Sequence, residues 1–130
     1  MNLQYVNIED AFLIHQLIIK RAGTKASVRD FTLLHSAVER PKATFSGQEL
    51  YKTIFDKAAA LLQSICLNHP FTDGNKRTAW AVTHKFLWNN GYYLRAKRKV
   101  AGDFMVNVDN KKPELPKISS WLKAHCEKIR

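Results

Sequence analysis

His69-Pro70-Phe71-Thr72-Asp73-Gly74-Asn75-Lys76-Arg77 stands between two apolar helical stretches, Ala58 to Leu67 and Ala79 to Trp88. Pro70 stops the first, because the residue before a proline is pushed out of the helical region. The second is expected to start between Asp73 and Asn75 and to stop at Asn89-Asn90-Gly91. A turn that sets a histidine, a carboxylate, a Gly-Asn pair and two cations just ahead of a helix has the layout of a phosphate-handling site. First-turn N–H groups lack helical partners, and the helix dipole favours an anion there. Lys76 and Arg77 add positive charge at the helix end where stability alone asks for none. Asp73 offers the oxygen that a hard cation such as Mg²⁺ takes. An imidazole, here His69, can exchange a proton near neutral pH.

Working outward, Ser46-Gly47-Gln48-Glu49 reads as a Ser-x-x-Glu capping box. It is expected to open a long helix with Leu50, Ile54, Phe55, Ala58, Leu61, Leu62, Ile65 and Cys66 inward. Ala59 and Leu67 extend that apolar face, as in a central buried helix. Upstream, Asn7 with Asp10 caps a first helix carrying Ile8, Ala11, Phe12, His15, Ile18 and Ile19, and Gly23 stops it. Ser27 with Asp30 repeats the cap signature ahead of Phe31, Leu34, Ala37 and Val38, and Pro41 ends that helix. Downstream, Tyr92-Tyr93-Leu94 reads as a short extended or turn segment and Arg95-Ala96-Lys97-Arg98-Lys99 as a basic patch. A short helix over Ala101 to Val108, a loop over Asp109 to Pro113 and a final helix with Ile118, Trp121, Leu122 and His125 complete the chain. No alternation of strands and helices occurs, which disfavours a doubly wound sheet. The expectation is one all-α domain over residues 1–130, with five to seven helices.

No apolar run approaches the roughly 20 residues of a membrane-spanning helix. Met1 to Tyr5 carries no charged segment leading into an apolar one, so no secretory signal is expected and the location is read as cytoplasmic. Cys66 and Cys126 are isolated and read as reduced, buried or half-buried thiols. The formal net charge is +10, and residues 61–130 hold 13 of the 21 Lys+Arg against 5 of the 11 Asp+Glu. That basic half points to an anionic partner: a nucleotide, an acidic protein or a nucleic acid.

His69, Pro70, Phe71, Asp73, Gly74, Asn75 and Arg77 resemble the signature of the Fic superfamily, His-Pro-Phe-x-Asp/Glu-Gly-Asn-Gly-Arg-x-x-Arg. Lys76 replaces its second glycine and Trp80 its last arginine. Both departures, and the run Asn75-Lys76-Arg77-Thr78-Ala79, are similar to the Doc (death on curing) branch. Glu39 to Phe45 also looks like the Doc segment before the long helix, so the resemblance extends over roughly Val28 to Tyr93. It implies a Fic-like helical domain with a central motif helix and a short extended flap, Lys42 to Phe45, that aligns a target segment by strand addition. It implies ATP and Mg²⁺. His69 would deprotonate a target hydroxyl, Phe71 would anchor the loop in the core, and Asp73 would bind the metal. Gly74 and Asn75 would cradle phosphate, and Lys76 and Arg77 would bind the nucleotide and neutralise charge on the transferring group.

Most Fic proteins transfer AMP to a protein hydroxyl. The Doc branch is associated with transfer of the γ-phosphate, the nucleotide lying in the reverse sense, to a threonine of elongation factor Tu. The resemblance therefore implies the toxin half of a toxin–antitoxin pair, acting on a translation factor. AMP transfer is the alternative, since Gly74 is the Fic-typical residue where some Doc proteins carry alanine. A non-catalytic basic module for nucleic acid is the alternative of another class; Tyr92 and Tyr93 beside the basic patch would serve it, but a solvated basic edge is the preferred reading and nucleic acid is not the expected partner. The self-inhibitory Ser/Thr-x-x-x-Glu pattern of Fic proteins does not occur: no Ser or Thr is followed four residues later by Glu. Restraint would then come from a separate antitoxin, whose tail folds on binding.

Simpler roles compete at several positions. Asp73 is also a natural helix N-cap. His15 and His125 suit core-edge positions and His84 a structural one. Trp88 and Trp121 are expected in the core.

Overall fold

A computed structural model describes residues 2–24 and 26–129; Met1, Lys25 and Arg130 lie outside the described residues. Asn7 opens helix α1 (Ile8–Ala22), its side chain accepting from the Asp10 N–H at 2.8 Å, and Gly23 closes it in the left-handed region. Helix α2 (Phe31–Glu39) is capped by Asp30 alone, whose Oδ1 accepts from the Leu33 N–H at 3.1 Å. The expected Ser27 cap is not formed. The Ser27 carbonyl instead accepts from the Thr72 N–H at 3.0 Å, beside an antiparallel bridge between Val28 and Phe71.

A 3₁₀ turn (Arg40–Lys42) follows, and then comes the largest departure from the sequence reading. Ser46-Gly47-Gln48-Glu49 caps no helix. Ser46 and Gly47 both adopt positive φ, 52° and 78°, and turn a hairpin of strands β1 (Thr44–Phe45) and β2 (Gln48–Glu49). Two left-handed residues in a row suit the right-handed twist of paired strands, which a helix start does not need. The helix begins later. Helix α3 (Ile54–Asn68) is capped by Thr53, whose hydroxyl accepts from the Asp56 N–H at 3.0 Å. Leu50, expected inward, is therefore exposed on the hairpin's outgoing arm. An extended element stands where the flap Lys42–Phe45 was expected, but it begins at Thr44, since Lys42 belongs to the 3₁₀ turn, and runs on to Glu49.

Helix α4 (Asn75–Asn89) starts and stops where its signals lie. Strand β3 (Tyr92–Leu94) leads to helix α5 (Arg98–Lys111), three residues longer at each end than the span Ala101–Val108. The expected loop shrinks to Lys112–Glu114 before helix α6 (Leu115–Ala124). A closing strand β4 (Cys126–Lys128) pairs antiparallel with β3, Leu94 opposite Cys126. The fold is all-α, with six α-helices and two small ribbons among the described residues. None of its helices is long and apolar enough to cross a membrane.

Helix α3 is the hub, packed against α2, α4, α5 and α6. Ala58, Ala59 and Ala60 are fully buried, and their small side chains let neighbouring helices approach. Lys57 is also fully buried. Its ammonium reaches Glu49 Oε1 at 3.0 Å and the Tyr51 carbonyl, while Arg40 donates to the Tyr51 hydroxyl at 2.7 Å and to Gln63 and Ser64, both at 2.9 Å. An uncompensated buried cation is costly, so these partners tie the outgoing arm of the hairpin to α3.

Both cysteines are free, Cys66 buried and Cys126 half-buried. Burial pushes both thiols up to about 11, aided at Cys66 by the charge of Asp109. Three expectations for ring side chains change. Trp88, in the last turn of α4, is half exposed rather than core and groups with His84 and Tyr93. His15 sits inside the core rather than at its edge. Trp121 is half-buried, stacked between Phe104 and His125 with ring centroids 3.7 Å apart on each side.

Candidate active site

The motif loop is held in place chiefly by its own backbone. Helix α3 ends at His69, which is left-handed (φ 50°) and exposed. Arg29 donates to the His69 carbonyl at 2.7 Å and to the Asn68 carbonyl at 2.8 Å. A guanidinium there satisfies orphan carbonyls and opposes the negative end of the helix dipole. The Pro70 carbonyl accepts from the Arg29 and Asp30 N–H groups at 2.8 and 3.1 Å. The stretch 27–30 is thus stitched along the loop.

Phe71 is fully buried, as the sequence reading required, and stacks on His15 with centroids 3.7 Å apart. Asn75 closes the loop with its side chain: Oδ1 accepts from the Phe71 N–H at 3.0 Å and Nδ2 donates to the Phe71 carbonyl at 2.9 Å. Its amide side chain is therefore spent on the loop, and only its backbone faces the task of holding an anion. The first helical amide to pair across the turn is that of Thr78, to the Gly74 carbonyl at 2.9 Å. The amides of Asn75, Lys76 and Arg77 have no intrahelical acceptor, so the start of α4 offers the free donors and the positive dipole end that suit an anion.

The cap of α4 is Gly74 (φ 77°), not Asp73. Asp73 is exposed, and its Oδ1 accepts from the adjacent Gly74 N–H at 2.8 Å. A Cβ on Gly74 would stand 2.9 Å from Ile19 Cδ1, so glycine is required by both conformation and space. Below it, His15 Nδ1 lies 3.0 Å from the Thr78 hydroxyl, and its Nε2 is buried without a partner among the described residues. Burial lowers the His15 pKa, and the negative charge of Asp73 offsets part of that.

A cavity of about 310 Å³ opens at this helix start, lined by Asp73, Gly74, Asn75, Lys76 and Arg77 against Ile18, Ile19 and Ala22 of α1. A second, of about 600 Å³, shares Ile18, Lys76 and Arg77 with it and runs along α4 to Trp80 and across to α5. Lys76 reaches Asp109 of α5 at 3.5 Å. Five of the six expected site residues converge on one cavity. His69 lines neither cavity and stands at the exposed end of α3, two residues before Phe71. Among the described residues no three His, Cys, Asp or Glu side chains gather as metal ligands. Asp73 as a lone carboxylate fits Mg²⁺, which is commonly held by one or two carboxylates and completed by substrate phosphates.

Residues 5–87 match the pattern of the Fic/DOC family. The chain belongs to the Fic/DOC family. It is also similar to "Toxin Doc" of Mycolicibacterium smegmatis, 42% identical over 121 residues that cover 92% of this chain and 91% of that protein. Members of the Fic/DOC family are typically enzymes that transfer nucleotide or phosphate groups to proteins.

The sequence reading of this Fic/DOC chain overlooked the residues that support the loop from outside. Arg29 and Ser27 touch only the loop's backbone groups, and no motif spacing marks that. His15 gave a faint signal: a histidine on the apolar face of α1 needs a partner, and Thr78, a polar residue on an otherwise apolar turn of α4, is that partner.

Proposed function

We propose that this protein is a Doc-type toxin of a toxin–antitoxin pair, an enzyme that transfers the γ-phosphate of ATP to a serine or threonine hydroxyl of a translation factor of the elongation factor Tu type. The observation that carries this reading is the start of α4: unpaired amides, a carboxylate and two cations around one cavity. Similarity to a protein named as a Doc toxin over nine-tenths of the chain supports it. The Doc-like residues Lys76 and Trp80 favour phosphate over AMP transfer. A cytoplasmic location and restraint by a separate antitoxin belong to the same proposal.

In this reading His69, exposed and free of side-chain hydrogen bonds among the described residues, takes the proton of the target hydroxyl. The hydroxyl oxygen bonds to the γ-phosphorus as the bond to the β–γ bridging oxygen breaks, and ADP leaves. The amides at the start of α4 hold the phosphates, with Gly74 leaving room for close approach. Lys76 and Arg77 neutralise the charge that spreads over the transferring group. Asp73 would hold Mg²⁺, which supplies further charge neutralisation when bound.

Intact-mass analysis of an elongation factor Tu incubated with the protein, ATP and Mg²⁺ tests the reaction. A gain of about 80 Da, one phosphate, is the expected result. A gain roughly four times larger, an adenylyl group, replaces the proposal with AMP transfer. No modification, together with steep salt-dependent binding to single-stranded nucleic acid, would favour the binding-module reading.

A further inference from the structure

We infer that the groove of about 600 Å³ between α1, α4 and α5 takes the nucleoside of the donor nucleotide, its base stacked on Trp80. This deepens the phosphotransfer reading and rests on it for the position of the phosphates. The groove borders the cavity at the start of α4, since Ile18, Lys76 and Arg77 line both. Its volume falls within the usual range for small-molecule sites, roughly 300–1,000 Å³. Its lining has the two characters of a nucleotide. Lys76, Arg77 and Arg98 are charged and exposed, and Trp80, Ala101 and Met105 are among the residues that make the rest apolar.

Trp80 is placed to receive a base. It follows Arg77 by three residues on α4, so the two share a helix face. The ring is half-buried and braced edge-on by Trp121, with centroids 5.9 Å apart, so it is held rather than free. Stacking on an aromatic ring tolerates any base. Among the described residues, the groove's side chains carry no hydrogen-bonding group apart from the three cations, the Trp80 indole N–H and the weakly accepting Met105 thioether. Such a site cannot reject a purine by its edge, because strong rejection needs buried polar groups that the wrong ligand leaves unpaired. ATP and GTP should therefore bind alike.

Gly102 of α5 gives a clean test. It lines the groove, has ordinary helical backbone, and has nothing within 4 Å of the place a Cβ would occupy. A Gly102→Phe side chain obstructs the groove without backbone strain, and replacing a helical glycine does not weaken α5. Binding to the full-length protein is measured by calorimetry with three probes: ATP, GTP and inorganic triphosphate. Gly102→Phe is expected to weaken ATP and GTP by about ten- to a hundredfold, the scale of one stacked base, and to leave triphosphate unchanged. Gly102→Ala should bind all three like the parent. Trp80→Ala should lose nucleotide selectively, and Trp80→Phe should retain most of it.

Unchanged ATP affinity in Gly102→Phe overturns the inference and assigns the groove to another occupant. Preference for ATP over GTP beyond about a hundredfold also overturns it, since only edge recognition gives that. The outcomes separate from those of the parent reading. A protein that binds ATP through the groove yet modifies no target keeps this inference and loses the phosphotransfer proposal. A protein that transfers phosphate with the same ATP KM in Gly102→Phe keeps the proposal and loses the groove.

Discussion

Gly74→Ala tests how tightly the turn into α4 is built. Two separate costs meet at this position. At φ 77° an alanine carries its Cβ in the left-handed region, which costs about 1–2 kcal/mol. That Cβ would also sit 2.9 Å from Ile19 Cδ1, closer than real Cβ contacts come, whereas His15 Cε1 at 3.7 Å is an ordinary neighbour. Ile19 is buried, so its end cannot swing into solvent. Overpacking of this kind costs about 1–3 kcal/mol. The sum, roughly 2–5 kcal/mol, is a large part of the stability of about 5–15 kcal/mol usual for a domain.

The two costs can be separated, because Ile19→Val deletes the one methyl in the way. Alone, that change should cost about 0.5–1.5 kcal/mol. In the Ile19→Val background the overpacking cost disappears and only the left-handed strain remains, so Gly74→Ala should then cost about 1–2 kcal/mol. The coupling between the sites is the difference, about 1–3 kcal/mol, and favours the double variant. Urea unfolding of the four proteins, comparing midpoints at a common slope, measures it. Strict additivity would refute the argument, since it would mean that Ile19 does not limit the space above Gly74.

His69→Asn should reduce target modification by at least about a hundredfold while leaving the urea midpoint unchanged. The side chain is exposed, and asparagine tolerates the left-handed backbone that His69 adopts; a variant that modifies its target at the parental rate removes His69 from the chemistry. Acid should destabilise the protein in a defined window. Burial lowers the pKa of His15 and His84 below 6.5, so in the range under that value the unfolded chain binds protons that the folded protein refuses. Stability is full above 6.5 and falls as pH drops through the window. Urea midpoints from about pH 7.5 to about pH 5 should decline for the parent and less steeply for His15→Gln, which keeps a partner for Thr78; identical slopes would mean that His15 does not titrate as a buried base.

The motif loop and α4 were legible because their causes are local. Pro70 forbids helix at its predecessor, Gly74 permits a left-handed cap, and Asn75 reaches a backbone only four residues away. The convergence of five expected residues on one cavity followed, since they are consecutive in the chain. Ser46–Glu49 shows the limit of local reading. The same four residues satisfy a capping box and a two-residue turn, and the choice falls to distant groups: Lys57 is buried only by pairing with Glu49 and Tyr51, and Arg40 fixes the Tyr51 hydroxyl. Strand β4 was invisible for a similar reason. Cys126–Lys128 becomes a strand only because Tyr92–Leu94, over 30 residues earlier, offers it an edge. The burial of His15 and the exposure of Trp88 likewise depend on which helices cover them. The sequence determined the backbone punctuation and the charged loop, which act within a few residues. Tertiary structure alone decided the hairpin, the ribbon and the groove beside Trp80, because each is made of surfaces that meet only after the helices pack.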